Sequence, residues 1–396
     1  MKINFMFRES LRGLAFTALA IAGLLVPIVE AQAAATSLRA DGTILLNNTP
    51  FYPFGFYFDG YNIPKPTRLA DLPTIANAGF NVIATNIDNA DGALFTSCAN
   101  LNLGVLMEFN DGNDTIVQQV NTWKSNPALF GWQVADDADN GQKTPAGILA
   151  IHNSIKAADS SHITYASAGH PTPGAGHGWV GDYMGVSDTI AMQTYPVPEE
   201  DLSATNATLK ALFNAAPANK SLLANCQSFK WDGERAPNAD EVRNMTYQAY
   251  INGMKGIIFY TFRSDDWNLQ TNSGLWSQFQ ELADENAIMR PWLLNGQMTR
   301  QVDTGAQRFN VFCSYWGYQG KIYIMLANVT GSGKNTTVTL PVGTTGPALS
   351  LFLGTPSGMT FNNGTRELSG TVQGHKVHVY QLNNPSASVN DWALYD

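Results

Sequence analysis

The chain is poor in cysteine, which limits how it can be stabilised. It has three cysteines in 396 residues, Cys98, Cys226 and Cys313, and none of them belongs to a C-x-x-C motif. An odd number cannot pair completely, so a disulfide framework is excluded, although one bridge remains open. Cys226 lies in an apolar run, and we expect it to be a small core residue rather than a metal ligand.

Charge is also scarce, and positive charge especially so. Charged residues make up 14% of the chain, and 23 Lys and Arg stand against 32 Asp and Glu, for a formal net charge of −9. Because no basic stripe is present to neutralise phosphates, a nucleic-acid partner is not expected. Beyond the first 35 residues no apolar run is long enough to cross a bilayer, so no membrane association is expected after that point.

The first 35 residues have the pattern of a targeting segment. Lys2, Arg8 and Arg12 precede an apolar stretch over residues 14–29, which ends in the small-residue sequence AQA. This order predicts a signal peptide over residues 1–35 and export to the periplasm or the medium of a bacterium, with a retained anchor as the alternative. The rest of the chain is rich in Asn, Thr, Gly and aromatic residues.

Apolar strands alternate with helical segments from about residue 51 to residue 292, as in a parallel α/β fold. Asn238 and Glu241 have capping-box spacing, Thr144 precedes Pro145 at a helix start, and Gly79 ends a helix. Eight strand–helix units of this size predict a (β/α)8 barrel, a TIM barrel. The predicted strands are FYPFGFYF (51–58), FNVIATNI (80–87), LGVLMEF (103–109), LFGWQVA (129–135), ITYASAG (163–169), TIAMQTY (189–195), LLANCQSF (222–229) and GIIFYTF (256–262).

The segments on either side of the barrel have β-type patterns. Ahead of it, two apolar runs around Asn47 and Asn48 predict a hairpin that closes the N-terminal end of the barrel. After Trp292, short β-type runs with Gly, Asn and Thr turns predict a small antiparallel β-sandwich. The predicted domains are therefore a barrel with its hairpin over 36–295, a sandwich over 296–384 and a tail over 385–396. We expect a monomer without a cofactor.

The end of the fourth strand is the most informative segment. There an apolar run ends abruptly in Asp136 and Asp137. Buried parallel strands carry functional side chains at their C-terminal tips, where the active sites of TIM barrels lie. With the period-two pattern of a strand, Gln133 and Asp137 share the inner face and Asp136 lies on the other. Asp137 is therefore the first catalytic candidate, and Asp136 a binding candidate.

Polar side chains collect at the same end of at least five other strands, where a packed barrel interior would be aliphatic. A polar ligand explains this concentration better than structural hydrogen bonding. The pairs that share a strand face are Tyr57 and Asp59, Asn86 and Asp88, Glu108 and Asn110, Gln193 and Tyr195, and Asn225 and Gln227.

The predicted ligand is a polysaccharide or oligosaccharide. Hydroxyl-rich substrates need Asn, Gln, Asp and Tyr around aromatic rings that stack on sugar faces. Trp179, Trp231 and Trp267 follow strands five, seven and eight and are candidate platforms. Cleavage of a glycosidic bond needs two carboxyl groups, an acid for the leaving oxygen and a nucleophile or base opposite.

Several segments resemble clan A glycoside hydrolases with a C-terminal β-sandwich. They are YPFGFY, NPALFGWQVADDAD, DTIAMQTYP, CQSF, RAPNADEVRNMTYQAYINGMKGIIFYTF and VHVYQL, and the closest likeness is to bacterial barrels whose fourth strand reads G-W-x-x-x-D-E-P. The resemblance implies that Asp137 takes the place of the clan's acid/base glutamate, one methylene shorter. The clan's nucleophile ends strand seven, where this chain has Cys226 and Gln227 and no carboxylate.

The second carboxylate is therefore left open by the sequence. Glu108 and Asp265 are the favoured candidates, Asp59, Asp88 and Asp266 are further ones, and substrate assistance near Gln227 is another route. Two other functions also remain. One is a non-catalytic carbohydrate-binding relative. The other is a metal-dependent deacetylase or lyase that uses His170 and His177, whose spacing matches no strong zinc motif.

Overall fold

The computed structural model describes residues 34–58, 63–86, 91–109, 115–170, 174, 178–352 and 358–387. The predicted signal peptide, apart from residues 34 and 35, lies outside these residues. The described chain begins with a three-stranded antiparallel sheet. Its strands are β1 (Thr36–Leu38), β2 (Ile44–Leu46) and β3 (Thr49–Pro50).

The predicted N-terminal hairpin is present between β2 and β3. Asn47 and Asn48 form its turn with φ of 51° and 62°, a left-handed conformation that asparagine tolerates better than most residues. Ile44 is fully buried and belongs to the same hydrophobic cluster as barrel residues such as Leu106 and Ile258. The hairpin therefore packs against the interior of the barrel.

Eight parallel strands close into a barrel in the order β10-β11-β4-β5-β6-β7-β8-β9. Each falls within or overlaps one of the eight predicted segments, so the predicted (β/α)8 architecture is confirmed. The strands are β4 (Phe54–Tyr57), β5 (Val82–Asn86), β6 (Gly104–Glu108), β7 (Leu129–Ala135), β8 (Ile163–Ala168), β9 (Thr189–Thr194), β10 (Ser221–Cys226) and β11 (Ile257–Phe259).

Helices surround the barrel, and their ends follow the predicted caps. The Thr144 hydroxyl accepts a bond from the Gly147 amide, and Asn238 and Glu241 form a complete capping box. None of the described helices is long and apolar enough to span a bilayer. The helices are α1 (Lys65–Asn77), α2 (Gly92–Leu101), α3 (Ile116–Trp123), α4 (Pro145–Ala158), α5 (Ser203–Ala215), α6 (Ala239–Ile251) and α7 (Ser273–Asn295), with a 3₁₀ turn at Val180–Tyr183 between β8 and β9.

Two antiparallel sheets follow α7. A five-stranded sheet has the order β12-β13-β14-β19-β16 and a three-stranded sheet the order β15-β18-β17, and side chains of both share one hydrophobic cluster. Their strands are β12 (Gln297–Thr299), β13 (Val311–Tyr318), β14 (Lys321–Asn328), β15 (Lys334–Thr339), β16 (Thr345–Ser350), β17 (Met359–Asn362), β18 (Glu367–Val372) and β19 (Val377–Asn383).

The cysteines are all buried and carry free thiols, so the bridge that the sequence left open is not formed. Cys226 is fully buried at the end of β10, as expected of a small core residue. Burial raises the pKa of the Cys98 thiol to about 12. These thiols therefore stay protonated and act as packing groups.

Candidate functional site

A chain of hydrogen bonds crosses the barrel interior below its C-terminal rim. The Gln133 side-chain amide donates to the Tyr57 hydroxyl over 3.2 Å. The Tyr57 hydroxyl in turn lies 3.1 Å from the Tyr165 hydroxyl. Tyr165 donates to Asn225 Oδ1 over 2.9 Å, and Asn225 donates to the Ile258 carbonyl. Burial raises the pKa of Tyr57 well above its usual value, so its hydroxyl remains protonated. This layer forms the polar floor of the site.

An open cleft of about 570 Å³ lies above this floor. It is formed at the C-terminal ends of the strands, as the (β/α)8 prediction requires. Aspartates and aromatic residues dominate its wall. The described residues that line it are Tyr57, Asp136, Asp137, Gln193, Tyr195, Phe229, Lys230, Trp231, Asp232, Tyr260, Ser264, Asp265 and Asp266.

Both aspartates that follow β7 line this cleft, which corrects the period-two prediction for Asp136. The pairing of β7 with β8 shifts register between Gln133 and Ala135. Such a bulge adds one residue to a strand and breaks its alternation of faces. Asp137 then has φ of 43°, in the left-handed region. Gln133 still points into the barrel, as predicted, but consecutive carboxylates reach the same cavity.

Asp137 is held by the two strands that follow β7. The Gln193 side-chain amide donates to Asp137 Oδ1 over 2.5 Å, from the end of β9. The Asp137 backbone N–H donates to the Ser167 hydroxyl over 3.2 Å, at the end of β8. The Asp137 side chain is half-buried. It is therefore fixed in position while one side remains open to the cleft.

Asp136 is more exposed, but its charge acts on the floor of the site. Its Oδ1 accepts a hydrogen bond from the Ser167 hydroxyl. Burial first, and then the Asp136 charge, raise the pKa of Tyr195 well above its usual value. The Asp136 charge contributes in the same direction, after burial, at Tyr57 and Tyr165. Asp136 and two of these tyrosines, Tyr57 and Tyr195, line the same cleft.

Asp265 approaches the cleft from the opposite wall. It follows β11, which is four strands from β7 in either direction around the closed barrel. Asp137 and Asp265 therefore start from diametrically opposed strands. Glu108 ends β6, the immediate neighbour of β7, where it pairs with Gln133. Asp137 and Asp265 both line the cleft, whereas Glu108 ends the strand next to β7 and does not line it.

Two further aspartates lie beside Asp265. Asp232 follows β10 and Asp266 follows β11, and both are exposed. The Ser264 hydroxyl donates a hydrogen bond to Asp266 Oδ1 over 3.2 Å. Asp232 and Asp266 therefore line the same cleft from two neighbouring loops.

Aromatic rings form the wall above β9, β10 and β11. Phe229 is central, with ring centroids 5.3 Å from Tyr195, 4.7 Å from Trp231 and 5.3 Å from Tyr260. Trp231 is 42% exposed, so its ring can still receive a ligand. Tyr57 extends the set toward the floor, 5.6 Å from Tyr260. Rings of this kind can stack on sugars.

The structure therefore brings together half of the predicted site residues. Those that line the cleft are Tyr57, Asp136, Asp137, Gln193, Tyr195, Trp231 and Asp265. Asp59 and Asp88 lie outside the described residues, as does His177, so the strand-five histidine pair has no described geometry. Among the described residues, no group of three or more His, Cys, Asp or Glu could hold a metal ion.

Three predicted binding residues are buried instead. Gln227 is fully buried, and its amide bonds to both the amide and the carbonyl of Val197, so it shapes the loop after β9. Asn86 is 1% exposed and does not line the cleft. Trp267 is 9% exposed and belongs to the main hydrophobic cluster. The predictions that Gln227 and Trp267 contact substrate are corrected by this burial.

Two others do not line the cleft. The ring of Trp179 is 41% exposed, but it lies against Gly181. Glu108 is half-buried at the end of β6, and its charge adds to the effect of burial in raising the pKa of Tyr57 and Tyr165. Glu108 is therefore a charge below the cleft rather than a group on its wall.

Sequence reasoning missed residues that hold the site in place. Asp139 is fully buried and accepts bonds from the amides of Gly169 (2.8 Å) and His170 (2.7 Å), which ties the loop after β7 to that after β8. Its position in the run DDAD was the available signal. Ser167 gave no signal, because a serine among small strand residues is ordinary. Phe229 falls within the seventh predicted strand, and nothing in the sequence marks Lys230 or Asp232 as site residues.

Two comparisons of the sequence with known proteins found no match. No protein-family model matches it, and no curated protein matches it. Solved structures, in contrast, do match over most of the chain. A protein titled "Glycoside hydrolase" is similar with a TM-score of 0.59 and 14% identity, over 90% of this chain and 98% of that chain.

Two further structures have the same overall fold. A maltogenic α-amylase from Thermotoga neapolitana has a TM-score of 0.56 at 11% identity, over 83% of this chain and 98% of its own. A GH30 endoxylanase from Clostridium papyrosolvens has a TM-score of 0.53 at 11% identity, over 89% and 98%. At such low identity the likeness establishes the fold, which is that of glycoside hydrolases with a TIM barrel and antiparallel sheets. The resemblance inferred from the sequence is confirmed at that level.

Proposed function

We propose that this protein is a secreted glycoside hydrolase that cleaves a polysaccharide, with Asp137 as general acid/base and Asp265 as the second carboxylate. The observation that carries the proposal is that these two aspartates line one open, aromatic-walled cleft from the loops that follow two opposed strands, β7 and β11. Glycosidic cleavage requires two carboxyl groups that flank the scissile bond. The fold shared with glycoside hydrolases supports the same reaction class.

Each side chain has a role that its contacts allow. Asp137, oriented by Gln193 and Ser167, protonates the leaving oxygen. Asp265, from the opposite wall, attacks the anomeric carbon or activates a water. The Tyr195 hydroxyl stays protonated because burial and nearby carboxylates raise its pKa, so it can donate to sugar oxygens. Trp231 offers an exposed face for stacking.

The test is release of reducing ends from a panel of polysaccharides that differ in sugar and linkage. The wild type is expected to act on at least one of them. Asp137→Asn should lower kcat on that substrate by about 10²–10⁴-fold, because the amide keeps an acceptor for Gln193 but loses the proton. Glu200→Gln, which changes an exposed charge outside the cleft, is the matched control and should leave kcat unchanged.

Other outcomes identify other functions. Binding to a polysaccharide by the wild type, without release of reducing ends, would favour a non-catalytic carbohydrate-binding protein. Loss of activity with a chelator and recovery with metal would favour a metal-dependent deacetylase or lyase. Equal rates for the wild type and Asp137→Asn would remove Asp137 from the mechanism.

Export is part of the proposal and rests on the basic and apolar pattern of residues 1–35. The expected outcome is that expression in a bacterial host gives protein outside the cytoplasm, with an N-terminus near residue 34. N-terminal sequencing of the exported protein measures this. Intact Met1 on protein in the cytoplasm would contradict it.

A further inference from the structure

We propose that the cleft takes a glycan whose sugars carry ammonium groups, a polyglucosamine type of polymer, in preference to neutral or uronic-acid polymers. The inference rests on the proposed function, since it names the substrate class of that same site. It is carried by the charge of the cleft, by its aromatic wall and by the position of Asp136.

The cleft is far more acidic than hydrolysis requires. Five of the thirteen described residues that line it are aspartates, whereas the whole sequence has 32 Asp and Glu in 396 residues. A two-carboxylate mechanism uses Asp137 and Asp265 and leaves Asp136, Asp232 and Asp266 for another role. Lys230 is the one cation on the described part of the wall. A concave surface lined with charge of one sign concentrates ligands of the opposite sign.

The aromatic wall also favours ligands with ammonium groups, by a separate mechanism. Tyr195, Phe229, Trp231 and Tyr260 are packed mainly edge to face, with centroids 4.7–6.3 Å apart. The faces of such rings carry partial negative charge and attract ammonium groups. An anionic sugar such as a uronate would be repelled by both the rings and the carboxylates. Binding of a neutral sugar would be stabilised by stacking on the rings alone.

Two places in the cleft can hold an ammonium group. Asp136 lines the cleft together with Tyr57 and Tyr195, next to the catalytic candidate Asp137. The second place is the rim, where Asp232 and Asp266 line the cleft beside Trp231. An ammonium group at the rim would form charge-assisted contacts with both carboxyl groups.

Binding can be measured with matched pairs of ligands that differ only in charge. The probes are glucosamine oligosaccharides with β-1,4 and with β-1,6 linkages, each with its N-acetylated, neutral counterpart. Calorimetry measures binding to the Asp137→Asn variant, because this variant is expected not to cleave the ligand during the measurement. In at least one linkage the ammonium form is expected to bind about tenfold more tightly than its counterpart at low salt. This ratio should fall as ionic strength rises.

The double variant Asp232→Asn/Asp266→Asn isolates the rim. It should weaken binding of the ammonium form about threefold to tenfold, the range for exposed ion pairs, and leave the neutral form nearly unchanged. The control is Glu199→Gln/Glu200→Gln, which removes the same formal charge from an exposed segment outside the cleft. This control should change neither affinity.

The failure of this inference can be told apart from failure of the proposed function. If neutral polysaccharides are hydrolysed and the neutral member of each pair binds as tightly as the ammonium form, the substrate class is wrong and the hydrolase remains. If the ammonium form binds more tightly but no glycan in the panel is cleaved, the hydrolase is wrong and the binding preference stands. Equal effects of the rim and control variants would overturn the role of Asp232 and Asp266.

Discussion

Ser167 connects two neighbouring strands at the point where both meet the cleft. Its hydroxyl donates to Asp136 and accepts from the backbone of Asp137, and its own carbonyl accepts from Ala138. It is fully buried, so no substrate touches it. Ser167 is therefore a positioning residue. It aligns two consecutive carboxylates that the bulge alone would leave less constrained.

Ser167→Ala is expected to lower kcat about tenfold while KM changes little. The reason is that Asp137 loses one of its two anchors without loss of any group on the cleft wall. The free energy of unfolding should fall by about 1 kcal/mol, the usual cost of one buried hydrogen bond. Steady-state kinetics and urea unfolding measure the two effects.

The control for this prediction is Ser187→Ala. Ser187 is also buried, and its hydroxyl donates to the Thr189 carbonyl over 2.7 Å at the start of β9, away from the cleft. This variant should lose similar stability and keep its kcat. Equal losses of kcat in the two variants would mean that Ser167 acts only through general stability.

The residue scale is also where the sequence was least informative. Asp137 was predictable because an apolar strand ends in it. The inward position of Asp136 was not, since it depends on a register shift between β7 and β8 that local alternation does not encode. The burial of Gln227 could not be predicted from the sequence for a similar reason. Its partner is the backbone of Val197, which is thirty positions earlier in the chain.

At the scale of elements, the N-terminal sheet is tied to the barrel by one half-buried carboxylate. Asp41, between β1 and β2, accepts bonds from Arg39 and from Lys255, which precedes β11. Burial raises the pKa of Asp41, but the Arg39 hydrogen bond and the Lys255 charge outweigh it and hold the pKa well below its usual value. The ionised form of Asp41 therefore stabilises the folded state.

The sign of the pH dependence follows from this depressed pKa. The stabilisation is present above the pKa of Asp41 in the unfolded chain, about 4, and is lost as the pH falls toward the lower pKa of the folded state. Asp41→Asn should therefore lower the free energy of unfolding by roughly 1–3 kcal/mol at pH 7 and by less at pH 3. Urea unfolding at several pH values measures the difference.

Asp201→Asn, at an exposed aspartate after β9, is the control and should change stability little at either pH. A deficit in Asp41→Asn that stays constant from pH 7 to pH 2 would contradict the account. It would mean that the ionisation of Asp41 does not hold the N-terminal sheet against the barrel.

Most elements were predictable because their signals are local. The eight strands follow from apolar runs, the helix starts from Thr144 and Asn238, and the hairpin turn from Asn47 and Asn48. The segment between β8 and β9 was the exception, since it holds a 3₁₀ turn where a barrel helix was expected. Its Gly and Pro residues favour loop structure, but the barrel pattern around it suggested a helix.

At the scale of the whole molecule, the barrel and the following sheets form one compact unit. Trp292, in α7, is 2% exposed and packs between Trp316 on β13 and Tyr323 on β14, with centroids 5.1 and 4.8 Å away. Asn244, in α6, donates to the carbonyls of Asn328 and His375. The sequence predicted the barrel and the β-type segments after it. The contacts that join them were not predictable, because they connect residues far apart in the chain.

Trp292→Ala is expected to destabilise the protein by about 3–5 kcal/mol, as for other buried large side chains. Because the cluster around Trp292 spans both parts, calorimetry should give one transition at a lower Tm rather than two. Phe309→Ala, at an aromatic residue that is 72% exposed, is the control and should shift the Tm little. Two separate transitions in the wild type would contradict a shared core.

The central claim is that Asp137 and Asp265 act together on one bond from opposed walls of the cleft. Reducing-end release by the wild type, Asp137→Asn, Asp265→Asn and the double variant tests it most directly. Each single variant should lose at least about 100-fold in kcat, and the double variant should lose little more than the worse of the two, since groups that act as a unit are not additive. Near wild-type turnover by Asp265→Asn, with Asp137→Asn inactive, would show that the second carboxylate lies elsewhere.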